Sequence, residues 1–136
     1  MTPEPRWVTK RAALAIHGIL LAEHGGKPGI LNEGLLGAAM DAPRNHFAYE
    51  QAPILRLAAV YAHGLIQNHA FVDGNKRVAF TVAVTFLELN GFRLETSEQE
   101  ALTAMDDLSA GRLSRDEFES WLKASCQETK TSPPRS

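Results

Sequence analysis

The sequence of 136 residues lacks the features that mark several large classes of protein. It contains one cysteine, Cys126, which excludes an internal disulfide and a zinc site built from cysteines. Its longest apolar run, residues 78–89, is too short to span a membrane. Residues 1–6 are polar and include two prolines, unlike a signal peptide. We therefore expect a cytoplasmic protein that has no membrane partner.

The sequence also has no large excess of charge of one sign. Lysine and arginine number 14, aspartate and glutamate number 16, and the net charge of −2 argues against direct binding of nucleic acid. No Walker-type phosphate loop, Rossmann fingerprint or Gly-x-Ser-x-Gly motif is present. Apolar residues make up 44% of the chain and charged residues 22%, which is typical of a single globular domain.

Apolar residues recur at helical spacing along most of the chain and predict six helices. Pro43 is expected to stop the second helix and to leave residues 42–53 irregular. The fourth helix contains valines that favour a strand, but its run of residues is too long for a typical strand. Capping-box patterns that begin at Ser97 and Ser114 precede the last two helices. The predicted segments are residues 9–24, 33–41, 54–67, 75–90, 101–110 and 118–124.

These segments predict an all-α domain, residues 9–126, formed by a compact bundle of about six helices. The helix of residues 54–67 is apolar on nearly all sides, so we expect it to be central and buried. An N-terminal arm, residues 1–8, precedes the domain. Residues 92–95 are predicted to form an extended link, and the polar residues 127–136 are expected to form a disordered tail.

The stretch best suited to chemistry, residues 69–77, reads His-Ala-Phe-Val-Asp-Gly-Asn-Lys-Arg and leads into the fourth helix. A helix N-terminus has free N–H groups and the positive end of a dipole, so it suits phosphate. Lys76 and Arg77 lie in the first turn, where the dipole disfavours cations unless an anion binds. Gly74 lets a phosphate approach the backbone, or only forms a turn. Asn75 caps the helix, or donates its amide to a phosphate oxygen.

His69 and Asp73 add two further chemical groups to this stretch. Histidine exchanges a proton near neutral pH, so His69 can activate a hydroxyl nucleophile, unless it is a buried side chain bonded to a carbonyl. A carboxylate beside phosphate is repelled unless a cation lies between them, so Asp73 is either a Mg²⁺ ligand or a helix cap. Phe71 is expected to anchor the loop in the core. The remaining histidines have no supporting neighbours and are assigned no site role: His17, His24, His46 and His63.

The stretch resembles the signature of the Fic/Doc family, commonly written His-Pro-Phe-x-Asp/Glu-Gly-Asn-x-Arg. Residues 25–36 look like the flap region of Doc-type proteins, and residues 57–62 and 86–91 on either side of the motif also look Doc-like. The resemblance covers residues 9–124. It implies a compact helical bundle in which the motif loop joins two central helices, and a flap, residues 25–32, that docks the substrate segment.

The resemblance also implies a role for each residue that matches the signature. His69 would be the general base for a Ser, Thr or Tyr hydroxyl, and Arg77 would clamp a phosphate and stabilise charge in the transition state. Asp73 would hold Mg²⁺. Asn75 would bind phosphates together with the helix N-terminus, and Phe71 would pin the loop in the core.

Two departures from Fic enzymes point to the Doc branch. Lys76 takes the place of a second glycine, and Phe80 takes the place of a second arginine. Doc toxins share the lysine; they bind the nucleotide in the opposite sense and act as protein kinases. Ala70 replaces the usual proline, and Gly74 is the residue of Fic enzymes, where the phage-type Doc has alanine.

The resemblance therefore implies a Doc-type toxin of a type II toxin–antitoxin system. It would use ATP and Mg²⁺ to phosphorylate a hydroxyl on a translation elongation factor, and so arrest translation. Its antitoxin would be encoded separately, since the sequence shows no inhibitory helix. Three alternatives stay open: a Fic-type enzyme that transfers AMP to a target protein, a catalytically silent module that binds an anion, and a nuclease that uses His69, against which the acidic net charge counts.

Overall fold

The computed structural model describes residues 3–129, which form six helices and a two-stranded antiparallel sheet. The predicted all-α fold of about six helices is confirmed. None of the helices within residues 3–129 is long and apolar enough to cross a membrane. The elements are α1 (Lys10–His24), α2 (Glu33–Glu50), α3 (Ile54–Asn68), α4 (Asn75–Leu89), β1 (Phe92–Leu94), α5 (Glu98–Ala110), α6 (Arg115–Ser125) and β2 (Cys126–Glu128).

Helix α3 lies at the centre of the bundle, as its apolar sequence predicts, and packs against α2, α4 and α6. Leu57, Tyr61 and Leu65 on this helix are almost completely buried. The hydroxyl of Tyr61 accepts a hydrogen bond from the N–H of Val8 and donates one to the carbonyl of Val8, each at 3.1 Å. Burial raises the pKa of Tyr61 to about 12. The arm before α1 is thereby tied to the core.

Helix α2 corrects the prediction that Pro43 ends a short helix, because α2 continues through Pro43 to Glu50. An internal proline removes one hydrogen bond and costs ~3 kcal/mol. Packing beyond Pro43 offsets that loss. Phe47 packs edge-to-face on Trp7 with 5.9 Å between ring centroids, and the guanidinium of Arg44 lies 5.4 Å from the centroid of the Trp7 ring. The expectation of irregular structure from residue 42 onward was therefore wrong up to Glu50.

Strand β2 corrects the expectation of a disordered tail from Gln127, because Gln127 and Glu128 pair with β1. Cys126 lies opposite Leu94, and the N–H of Thr129 donates to the carbonyl of Gly91 at 2.8 Å. Pairing of three residues leaves too short an alternation to read from sequence. The rest of the predicted tail, residues 130–136, lies outside the described residues.

The predicted start of α1 is confirmed to within one residue, and the predicted capping boxes of α5 and α6 are confirmed. Both α5 and α6 begin three residues before the predicted starts at residues 101 and 118, because each helix starts directly after its capping serine. The side chain of Thr9 accepts a hydrogen bond from the N–H of Ala12 at 3.1 Å. Ser97 and Ser114 each form a complete capping box, in which the glutamate three residues later bonds back to the N–H of the serine. Helix α5 packs against α4, with Asp106 of α5 paired with Lys76 in the first turn of α4.

Candidate active site

The motif loop joins the end of α3 to the start of α4. Two of its residues, His69 and Gly74, have a left-handed backbone conformation with positive φ. His69 ends α3 with φ 48° and ψ 51°, a left-handed conformation that few residues other than glycine adopt. Gly74 precedes α4 with φ 82°, which glycine adopts without strain. The chain therefore reverses direction within a few residues. This reversal brings both ends of the motif to one side of the molecule.

Asn75 fixes the inside of this loop. Its side-chain oxygen accepts from the N–H of Phe71 at 3.1 Å, and its amide donates to the carbonyl of Phe71 at 2.9 Å. Both residues are buried, with Phe71 only 1% exposed. Gly74 caps α4 without a side-chain bond, so neither Asp73 nor Asn75 is a helix cap. One N–H of the amide is bonded within the loop and an amide carries two, so the expectation that Asn75 binds phosphate stays a prediction. Its main-chain N–H also lies at the helix N-terminus.

Asp73 accepts three hydrogen bonds, one at its main-chain carbonyl and one at each carboxylate oxygen, and the residue is exposed. Oδ1 accepts from the N–H of Gly74 at 3.0 Å, and Oδ2 accepts from the N–H of Lys27 at 3.2 Å. Its carbonyl lies 2.9 Å from Nε2 of His17. A carboxylate offers about four lone-pair positions, so two hydrogen bonds leave room for a further ligand.

The glycine-rich segment after α1 packs its main chain against the motif loop. Ile30 pairs with Phe71 in an antiparallel bridge. The N–H of Val72 donates to the carbonyl of Gly29 at 3.0 Å. A Cβ added to Gly26 would lie 3.0 Å from Oδ2 of Asp73, so only glycine lets the segment approach this closely. The proposed flap, residues 25–32, therefore borders the site.

A cleft of about 320 Å³ opens at the N-terminus of α4, between the motif loop and α5. It brings together six of the seven residues that the sequence assigns to the site, and it is bordered by Leu102 and Ser109 of α5. The seventh, Phe71, lies beneath the loop in the core. The six residues are His69, Asp73, Gly74, Asn75, Lys76 and Arg77.

The charges of the cleft suit an anion. Lys76 and Arg77 are both exposed in the first turn of α4, beside its N–H groups. Nζ of Lys76 lies 2.9 Å from Oδ1 of Asp106 on α5, and both side chains are 55% exposed. Arg77 and the uncapped helix N-terminus therefore line the cleft together with one carboxylate, Asp73.

No group of three or more His, Cys, Asp or Glu side chains that could hold a metal ion occurs within residues 3–129. A cation bound by Asp73 would therefore take most of its ligands from phosphate oxygens and water. Mg²⁺ is commonly bound in this way, through one or two carboxylates and the phosphates of a substrate. The donor set fits Mg²⁺ held by a nucleotide, and it does not fit a metal site made by the protein alone.

His17 was assigned no site role from sequence, but it contacts the motif loop from α1. Its ring stacks on Phe71 with 3.9 Å between centroids and 19° between planes. The side chain is buried, four residues after buried Ala13, so the two form the inner face of α1. A histidine on the buried face of an amphipathic helix was the only available signal. His24, His46 and His63 do not line the cleft, and burial lowers the pKa of His63.

Comparisons with known proteins agree with this geometry. A family model described as Fic/DOC family matches residues 7–87. The chain is 29% identical over 107 residues to the protein kinase doc of Escherichia phage P1, covering 78% of this chain and 81% of the relative. It is 42% identical over 72 residues to the toxin Doc of Mycolicibacterium smegmatis, covering 52% of this chain and 55% of the relative.

Proposed function

Because this chain belongs to the Fic/Doc family and resembles its Doc-type members, we propose that it is the toxin of a toxin–antitoxin system and acts as a protein kinase. The observation that carries the proposal is the cleft. It combines an exposed histidine, an exposed carboxylate and a cationic, uncapped helix N-terminus within one small volume. A base, a Mg²⁺ ligand and a phosphate site are the parts that phosphoryl transfer requires.

In this proposal ATP binds with its terminal phosphates at the N-terminus of α4. Main-chain N–H groups of the first turn donate hydrogen bonds to phosphate oxygens, and the planar guanidinium of Arg77 donates two more to the same phosphates. Asp73 would hold Mg²⁺, which would supply positive charge against the charge of the phosphates. The hydrogen bonds from Lys27 and Gly74 keep the Asp73 carboxylate turned toward the cleft.

His69 accepts the proton of the attacking hydroxyl on the target protein. The hydroxyl oxygen forms a bond to the γ-phosphorus while the bond from that phosphorus to the β-phosphate oxygen breaks, so ADP leaves. Arg77 and the N–H groups of α4 stabilise the negative charge on the transferred phosphoryl group. The left-handed turn at His69 directs its ring away from the buried end of α3 and into the cleft.

Two side chains favour phosphoryl transfer over AMP transfer. Lys76 adds a long cationic side chain at the position where AMP-transferring relatives have glycine, which reduces the room for a diphosphate along the backbone. Phe80 stands where those relatives have a second arginine, and it lines an adjoining, mainly apolar cavity of about 500 Å³. This cavity shares Lys76, Arg77 and Leu102 with the cleft. Only one arginine of the motif therefore faces the cleft. The relative named protein kinase doc supports the same choice.

AMP transfer is the second candidate, and Gly74 favours it. A glycine with φ 82° leaves the backbone before α4 free of a side chain, so the main chain can approach a diphosphate closely. A catalytically silent anion-binding module would need the helix N-terminus but not the histidine. Retention of His69 at the edge of the cleft therefore counts against that module.

The proposed target is a hydroxyl side chain on a translation elongation factor, and the proposed outcome is arrest of translation in the cytoplasm. The proposed partner is a separately encoded antitoxin, which the resemblance to Doc-type toxins implies. The flap, residues 25–32, is bonded to the motif loop beside the cleft, and its proposed role is to dock the target segment.

Intact-mass spectrometry tests the reaction type. A bacterial lysate is incubated with the protein, Mg²⁺ and ATP, with the His69→Ala variant as control. A phosphate-sized increase on a translation factor, absent with the variant, is expected. An AMP-sized increase would replace the kinase with a nucleotidyl transferase, and no increase on any protein would favour the silent module.

A further inference from the structure

His17 is the one side chain outside the motif and the flap that hydrogen-bonds the residue proposed to hold Mg²⁺, among residues 3–129. It lies 56 residues before Asp73 in the sequence, and its Nε2 is 2.9 Å from the carbonyl oxygen of Asp73. A carbonyl only accepts, so Nε2 carries the proton and donates. His17 is 7% exposed, so the donor end of this part-buried bond is largely shielded from water.

The bond restrains a particular peptide unit. The carbonyl of Asp73 and the N–H of Gly74 belong to the same planar group. His17 holds the carbonyl side of this plane, while Oδ1 of Asp73 accepts from its N–H side at 3.0 Å. The orientation of this plane determines where the Asp73 carboxylate points. Because Gly74 is the cap of α4, the same plane also sets the direction in which α4 begins.

Stacking keeps His17 in position to donate. Its ring lies almost parallel to that of Phe71, with 3.9 Å between centroids. Phe71 is in turn bonded by Asn75 through both main-chain groups. The imidazole therefore links α1 to two points of the motif loop, Phe71 by contact and Asp73 by a hydrogen bond. A purely apolar side chain would supply the first link only.

We propose that His17 is a positioning residue for the group-transfer site. It does not touch the nucleotide; it fixes the Asp73–Gly74 peptide so that the carboxylate and the N–H groups of α4 face the same Mg²⁺-nucleotide. The inference rests on the proposed function, since it requires that Asp73 and α4 bind this ligand. It predicts that losing the donor weakens nucleotide binding more than it weakens the fold.

A matched pair of variants isolates the donor. Glutamine and methionine have similar length and shape, both lack the stacking ring, and only glutamine carries an N–H donor. His17→Gln and His17→Met are prepared in the His69→Ala background, which removes the proposed base. Isothermal titration calorimetry measures the dissociation constant for ATP at saturating Mg²⁺, and the thermal midpoint is measured for each variant.

We expect His17→Met to bind Mg²⁺-ATP about fivefold to tenfold more weakly than His17→Gln, the size of one lost hydrogen bond. Ala13→Gly, also on the buried face of α1, is the control: it should lower the thermal midpoint without changing the dissociation constant. His17→Phe, which restores the ring without the donor, replaces His17→Met if that variant does not fold. It should bind as weakly as His17→Met.

Equal affinity of the variants with and without the donor would overturn the positioning role. So would an affinity that falls in proportion to the thermal midpoint, with Ala13→Gly included, because that is the behaviour of a structural residue. Failure of the parent protein to bind Mg²⁺-ATP at all is a different result. It would refute the proposed function itself, and the role of His17 in nucleotide binding with it.

Discussion

Nζ of Lys76 in the first turn of α4 lies 2.9 Å from Oδ1 of Asp106 on α5. The pair crosses the side of the cleft, and both side chains are 55% exposed, so its own contribution to stability is small. If phosphate binds at α4 as proposed, Asp106 would compete with it for the ammonium of Lys76 and would repel the incoming anion. The affinity of the proposed site for phosphate would then depend on Asp106 of α5.

Replacing Asp106 by asparagine should tighten the binding of Mg²⁺-ATP. An exposed ion pair is worth up to ~1 kcal/mol, so we expect an increase in affinity of up to ~fivefold at low ionic strength. The gain should shrink as salt screens the charges. Calorimetry in the His69→Ala background measures it, and Asp107→Asn is the matched control, because Asp107 pairs with Arg112 instead. Unchanged or weaker binding by Asp106→Asn would contradict the competition.

Removing the imidazole of His69 should abolish group transfer and leave the fold largely intact. A general base contributes ~10²-fold to 10⁴-fold to the rate, and the side chain is exposed, so few packing contacts are lost. His69→Asn is a useful companion to His69→Ala, because asparagine tolerates the left-handed conformation with φ 48°. The rate is measured as phosphate incorporated into the target protein. His24→Ala, another exposed histidine, should transfer at the rate of the parent.

Transfer by His69→Asn at the parental rate would remove His69 from the role of base. If His69→Asn loses transfer because it unfolds, which would show as a lost thermal transition, the rate of His69→Ala is compared with that of the parent instead. The two variants differ in backbone tolerance but share the missing base, so agreement between them attributes the loss to chemistry.

Replacing Asp73 by alanine should make transfer require more Mg²⁺. The carboxylate is the one acidic side chain that lines the cleft among the described residues, so its removal leaves the ion held by phosphate and water alone. We expect the Mg²⁺ concentration at half-maximal rate to rise at least tenfold, and the rate at saturating Mg²⁺ to fall. Titration of the transfer rate with MgCl₂ at fixed ATP measures both. An unaltered Mg²⁺ dependence would refute the ligand assignment.

The features of this structure that could be predicted from sequence depend on residues that lie close together in the chain. The capping boxes at Ser97 and Ser114 join residues three apart, so the starts of α5 and α6 are visible in a short window. The motif likewise lies within nine residues, and the left-handed turns at His69 and Gly74 fold it onto one cleft. Local spacing was sufficient there because both ends of the site belong to one loop.

The parts that sequence did not predict depend on distant partners. Helix α2 passes Pro43 because Trp7 packs against its later turns, and β2 forms because β1 offers an edge. The contact of His17 with Asp73 spans 56 residues and has no spacing rule. In each case a tertiary contact outweighs a local preference, or adds a role that local sequence does not encode.

Gly26 provides a test of how closely the flap must approach the motif. Its φ is +122°, and an added Cβ would lie 3.0 Å from Oδ2 of Asp73 and 3.0 Å from Cδ2 of Leu21. Gly26→Ala should therefore displace the Asp73 carboxylate as well as strain the backbone by about 1 to 3 kcal/mol. Gly25 is the matched control: its φ is +79°, so alanine is strained there too, but the new Cβ would meet nothing within 4 Å.

Both alanine variants should lose stability to a similar extent, because both force an L-residue into a left-handed backbone. Only Gly26→Ala should also weaken Mg²⁺-dependent transfer, because only that Cβ collides with Asp73. Thermal unfolding measures the first effect, and the Mg²⁺ titration of the transfer rate measures the second. If the two variants lose transfer equally, backbone strain in the flap is the cause, and close contact with Asp73 is not what Gly26 provides.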